Sequence, residues 1–246
     1  MHFNITVTEN PSQLGQKAAQ KTAEVLKQAI KEKGSARIIL ATGASQFETL
    51  EALLQHDIDW SVVEVFHLDE YVGLAETHKA SFRKYLKERF LSKVSVKAAY
   101  LIDGEADAEA QIKALTEKLA EADVDVAMIG IGENAHVAFN DPPANFETEE
   151  AFIVVKLDEA CKAQQVREGW FEGLSSVPET AITMTVRQIL KAGTIVSAVP
   201  HTAKAEAVYN SLQSPVSQAI PASILKTHPN WNLYLDHASA AKIFSL

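Results

Sequence analysis

Short β-branched and apolar runs alternate along the chain with longer segments in which apolar positions recur every three to four residues. That rhythm predicts strands joined by crossover helices, and hence an α/β fold. Phe3 to Val7 reads as the first strand. Asn10 then caps a helix with Pro11 at its first position, and Leu14, Ala18, Ala19, Thr22, Val25, Leu26 and Ile30 mark one face of it as far as about Glu32. Further strands are predicted at Arg37 to Leu40, Val62 to Phe66, Ala99 to Ile102, Val124 to Ile129, Phe152 to Leu157 and Thr194 to Val199. Helices are predicted near Gln46 to Gln55, Ser81 to Leu91, Asp107 to Glu121, Glu159 to Gly169 and Thr202 to Leu212. A strand and helix are expected over Ala181 to Lys191, and helix, strand and helix over Ala222 to Leu246. Together these predict one mostly parallel open sheet with helices on both faces, a Rossmann-like three-layer sandwich.

No Pro/Gly/Ser-rich linker, long like-charge block or internal repeat divides the chain, so residues 1–246 are expected to form a single domain. A formal charge of −9 argues against nucleic acid or an anionic membrane as partner, since either needs a basic face. A small anionic substrate, which needs only two or three local cations, remains compatible with it. The first residues carry no signal-peptide pattern, and no apolar run approaches the roughly 18 residues of a membrane span, so a cytoplasmic protein is expected. The single cysteine, Cys161, excludes an internal disulfide and any cysteine-rich metal site.

The chemistry gathers in loops that follow strands, which a parallel sheet brings to one edge. After Val124 to Ile129 comes Gly130-Ile131-Gly132-Glu133-Asn134-Ala135-His136-Val137-Ala138-Phe139-Asn140-Asp141-Pro142. Gly130-x-Gly132-x-x-Ala135 matches the dinucleotide fingerprint, but that motif must open a helix, and Asn140-Asp141-Pro142-Pro143 leaves no room for one. The loop reads instead as catalytic, with His136 and Asp141 able to face each other and Asn134 available to orient the imidazole. Thr42, Gly43, Ala44 and Ser45, between a strand and a helix, suit a phosphate. Asp69 and Glu70 follow the Val62 to Phe66 strand, and a carboxylate there serves as a base only if burial or a neighbouring charge raises its pKa. Arg167 and Lys204 add local cations on helices that follow strands.

These loops resemble the glucosamine-6-phosphate deaminase family, through Thr42-Gly43, Asp69-Glu70-Tyr71-Val72-Gly73-Leu74 and the stretch from Gly130 to Pro142, in matching order over nearly the whole chain. The resemblance implies isomerisation and deamination of an amino-sugar 6-phosphate to a ketose phosphate and ammonia, without cofactor or metal. It implies a proton carried between C2 and C1 by Asp69, ring opening by His136 supported by Asp141, and a phosphate held by Thr42, Gly43, Ser45, Arg167 and Lys204. A homo-oligomer is compatible with it. The chain departs from the family at Asn134-Ala135, where Asp-Gly is usual, and at Asp141, where glutamate is common. The alternatives are the related 6-phosphogluconolactonases, which share the fold and a similar histidine loop, and a sugar-phosphate sensor that has lost turnover.

Overall fold

The structure, a computed structural model, describes residues 3–243. β1 (Phe3–Thr8) leads into α1 (Pro11–Lys33), whose start is fixed by the Asn10 side chain accepting from the Gln13 N–H and by Pro11 in the first turn. The helix stops at Gly34, whose φ of 74° lies in the left-handed region that glycine tolerates. The chain continues through β2 (Ala36–Leu40), α2 (Phe47–Leu53), β3 (Val63–His67), β4 (Asp69–Tyr71), α3 (Phe82–Leu86), β5 (Ala98–Tyr100), α4 (Ala108–Ala120) and β6 (Val126–Ile129). It closes with β7 (Phe152–Lys156), α5 (Glu159–Arg167), β8 (Thr180–Met184), α6 (Val186–Ile189), β9 (Thr194–Val199), α7 (Ala205–Gln213) and β10 (Trp231–Asp236).

Seven strands form one sheet in the order β1-β10-β9-β6-β2-β3-β5, and every pairing in it is parallel. β2, β6 and β9 are buried along their whole length, as expected of strands covered on both faces. One face packs on α1, α2 and α3 through Leu14, Leu26, Leu50, Leu53 and Leu86. The other packs on α4 and α7 through Leu115, Leu119, Ala207 and Val208. From β2 the chain moves outward to β3 and β5 on one side, then returns to place β6 and β9 on the other. The switch point between β2 and β6 opens a crevice at the carboxyl edge, the usual ligand position in such sheets.

The expectation of a single sheet needs correction. The strands at 152–156 and 180–184 do not join the parallel sheet; β7 and β8 pair antiparallel with each other, and β8 pairs antiparallel with β4. Phe152, Ile182 and Met184 tie this three-stranded sheet into the core of the large one, while β7 is an edge with Val154 exposed. Two helices expected near the end of the chain are not formed as α-helices. Pro221–Thr227 forms a 3₁₀ helix, and the closing helix is absent as far as residue 243, where 237–243 form turns; residues 244–246 lie outside the described part.

Candidate active site

A cleft of about 290 Å³ opens at the carboxyl edge, lined by the turns after β2, β3, β6 and β9 and by one face of α5. Its size suits a small ligand rather than a dinucleotide. No helix follows Gly130 and Gly132, as the prolines required.

After β2 the backbone turns at Gly43, whose φ is 98°, into a 3₁₀ turn at Ala44–Gln46 that runs on into α2. Thr42, Gly43, Ala44 and Ser45 all line the cleft. The Tyr85 hydroxyl donates to the Gly43 carbonyl at 2.9 Å, and the Gln46 amide donates to Ser45 Oγ at 3.0 Å and to the Ala198 carbonyl at 3.1 Å. These bonds hold the turn to α3 and β9. The first N–H groups of a helical turn lack intrahelical partners and favour an anion.

Lys204 ends a second 3₁₀ turn, after β9, and lines the same cleft. It is only 8% exposed, and burial pushes its ammonium below its ordinary pKa, against the raising effect of the Glu168 and Glu133 charges. No carboxylate is within ion-pair distance of it among the described residues. A buried cation without a contact partner is a site for an anionic ligand. Arg167 stands apart. Its guanidinium is 58% exposed, pairs with Glu133 and does not line the cleft; Gln164, Gln165 and Glu168 of the same segment do.

Asp69 sits on β4, a short strand rather than the loop expected, with Thr183 of β8 opposite. Its side chain reaches the cleft although the residue is only 6% exposed. Burial, and after it the charge of Glu70, push the Asp69 carboxyl well above its ordinary range. Glu70 faces away and has a different task, one the sequence reading did not assign. It accepts from the N–H groups of Tyr71, Phe82 and Arg83 and from the Ser81 hydroxyl, at 2.8–3.3 Å, and lies 3.4 Å from Arg83 Nε. It thus joins β4 to the start of α3. Burial raises its carboxyl, with those four donors opposing.

His136 stands over Gly132: a Cβ added to that glycine would lie 2.2 Å from the imidazole Cε1 and Nε2. Only glycine permits so close a stack. Asn134 does not touch the imidazole as expected; it accepts from the His136 backbone N–H at 3.1 Å and donates to Asp141 Oδ1 at 3.0 Å. It therefore orients the carboxylate and the loop. Asp141 Oδ1 lies 3.1 Å from His136 Nδ1, but outside hydrogen-bond direction. Burial works to raise the Asp141 carboxyl, yet His136 and Asn134 outweigh it and hold it below its ordinary value. Ala135 adopts φ 66°, a left-handed conformation that costs a non-glycine residue about 1–2 kcal/mol. His67, at the end of β3, is not a second base: burial, then the Arg83 charge, lower its pKa to about 3, and its Nδ1 accepts from the Ile102 N–H.

Fold and cleft define the chain's class, an α/β protein with a small-ligand site at the switch point of a parallel sheet. Residues 9–233 match the model of the glucosamine-6-phosphate isomerases/6-phosphogluconolactonase family, and the chain belongs to that family. It is similar to the glucosamine-6-phosphate deaminase of Oenococcus oeni, at 33% identity over 91% of this chain and 93% of that one. The same enzyme of Lactobacillus delbrueckii subsp. bulgaricus is 33% identical over 97% of this chain and 99% of its own. Among solved structures, a monomeric glucosamine-6-phosphate deaminase superposes with a TM-score of 0.87 at 29% identity, covering 97% of this chain and 99% of its own. The 6-phosphogluconolactonase of Trypanosoma brucei shares the fold, with a TM-score of 0.82 at 17% identity over 98% of this chain and 99% of its own. No helix among the described residues is long and apolar enough to cross a membrane.

Proposed function

We propose that the protein is a glucosamine-6-phosphate deaminase, converting the amino-sugar phosphate and water into fructose 6-phosphate and ammonia. The observation that carries this is the meeting of Asp69 and His136 in one cleft with Lys204 and the 42–45 turn. Lys204 and the turn hold the phosphate. His136, supported by Asp141, takes the C1 hydroxyl proton and returns it to the ring oxygen, which opens the ring to the aldehyde. Asp69 then removes the C2 proton; the C–H electron pair becomes the C1=C2 bond while the C1 oxygen takes a proton. Return of a proton to C1 leaves an imine at C2, and water replaces its nitrogen to release ammonia. The burial that raises the Asp69 carboxyl makes it a stronger base than free aspartate. The chemistry requires neither metal nor cofactor. The reading carries with it one catalytic domain and a cytoplasmic setting, because sugar phosphates do not cross membranes unaided; the relatives include a monomeric enzyme, and a homo-oligomer is not required.

Ammonia release from glucosamine 6-phosphate by the purified protein in the presence of chelator tests the reading, with galactosamine 6-phosphate and 6-phosphogluconolactone in parallel. Release from the glucosamine compound is expected. Hydrolysis of the lactone above its spontaneous rate, without ammonia from either amino sugar, would replace the deaminase by a lactonase.

A further inference from the structure

Cys161 lies on α5 with its side chain in the small core formed with Tyr71, Phe139, Leu157 and Phe171, and it is 1% exposed. Its sulfur does not sit among apolar groups alone. Cys161 Sγ, an imidazole nitrogen of His136 and a carboxylate oxygen of Asp141 all lie within 4.8 Å of one another. Two of the neighbouring atoms are unsatisfied: His136 Nδ1 and Asp141 Oδ2 are buried without a hydrogen-bond partner, in an Asp141 side chain that is itself 9% exposed. Buried polar atoms without partners are uncommon and call for an explanation.

We propose that His136, Asp141 and Cys161 form an inhibitory zinc site. One imidazole, one carboxylate and one thiolate are ordinary zinc ligands, with a fourth position left for water. Bond lengths of about 2.0–2.3 Å at tetrahedral angles put donor atoms about 3.3–3.8 Å apart. The present triangle, with its atoms within 4.8 Å of one another, therefore needs to contract by no more than about 1.5 Å along any edge. The charges balance as well: the ion's two positive charges meet the Asp141 carboxylate and the Cys161 thiolate, with a neutral imidazole. On binding, the thiol loses its proton to solvent and its sulfur lone pair forms the zinc bond, with no change of oxidation state. A bound ion takes His136 and Asp141 together, so it stops the ring-opening step; this consequence rests on the function proposed above, whereas the metal site does not.

Cobalt(II), which replaces zinc in tetrahedral sites and absorbs, reads the site without any substrate. Titration of the full-length protein with cobalt chloride should give a thiolate-to-cobalt charge-transfer band in the near-ultraviolet that saturates at one equivalent and vanishes when zinc is added. C161A should lack the band; should that variant not fold, C161S serves, since a hydroxyl gives no such band. In turnover assays, half-inhibition of C161A should need at least ten-fold more zinc than that of the wild type, and chelator should restore the wild-type rate. Absence of the band in folded wild type, or its persistence in the cysteine variant, overturns the site. Equal zinc sensitivity in wild type and variant overturns the inhibitory role. If no amino-sugar phosphate is turned over, the proposed function fails while the cobalt spectrum still decides the metal site.

Discussion

Asp69 is held in the native state against its own preference, and replacing it by asparagine should make the protein more stable as it makes it inactive. Among the described residues no hydrogen-bond donor reaches its carboxylate, and burial together with Glu70 pushes its pKa well above the ordinary 3.8. For a carboxyl whose pKa is raised on folding, the unfolded chain ionises first. The stability cost is therefore absent below about pH 4, grows as pH rises toward the native value and is complete above it. Leaving a polar group buried without partners costs about 1–3 kcal/mol, and each tenfold change in acidity accounts for about 1.4 kcal/mol. Asp69→Asn should thus gain about 1–3 kcal/mol at pH 8 and lose that gain at pH 4, while turnover falls by about 10²–10⁴. Urea unfolding of wild type and variant at the two pH values measures the first part, and ammonia release the second. Whatever the asparagine amide costs on burial is the same at both pH values, so the difference isolates the charge. A stability difference between variant and wild type that is the same at pH 4 and pH 8 would refute an unpaired buried carboxylate.

Other substitutions probe the supports of the site. Glu70→Gln sets an amide donor against backbone N–H groups and removes the charge beside Arg83, so urea unfolding should show a loss of about 3–5 kcal/mol, and a loss below about 1 kcal/mol would contradict the arrangement. Gly132→Ala must displace the His136 ring, and steady-state kinetics should show kcat reduced about 100-fold in a protein that still unfolds cooperatively. Lys204→Met should raise KM for the phosphorylated sugar by about 10- to 100-fold, corresponding to about 1.5–3 kcal/mol, with no matching effect on binding of unphosphorylated glucosamine. Ala135→Gly relieves a left-handed alanine but loses a buried methyl worth about 0.8 kcal/mol, so thermal unfolding should show a net change under about 1 kcal/mol.

The parallel sheet was legible because β2, β6 and β9 are covered on both faces and read as mainly apolar runs, broken only by Arg37, Thr194 and Ser197. The same signal misled at Phe152-Ile153-Val154-Val155, an equally apolar run that forms the edge of an antiparallel sheet with Val154 in solvent. Which strand pairs with which is a non-local fact, and three residues at 69–71 are too few to show a period at all. That Asp69, His136 and Lys204 share one cleft was legible because each lies in a segment that follows a strand of the parallel sheet, whose loops gather at one edge. Arg167 differs because it lies on a helix whose cleft-facing side had to be chosen. Cys161, Gln164, Gln165 and Glu168 follow the spacing i, i+3, i+4, i+7, and the cysteine, as the one apolar-preferring member, marks that face. Arg167 lies off it and finds Glu133 instead. Glu70 escaped notice because a carboxylate that caps another element is indistinguishable in sequence from a surface acid.

The small antiparallel sheet divides the labour of the cleft between two frameworks. Asp69 is carried by β4, whose strand partner β8 belongs to the second sheet, whereas the 42–45 turn and Lys204 hang from strands of the large one. On the function proposed above, the hold on the phosphate and the ring-opening histidine are therefore carried by one sheet and the carboxylate that moves the C2 proton by the other. On that reading, a change confined to the segment from β7 to β8 would alter the proton-transfer step and leave the phosphate turn and Lys204 in place.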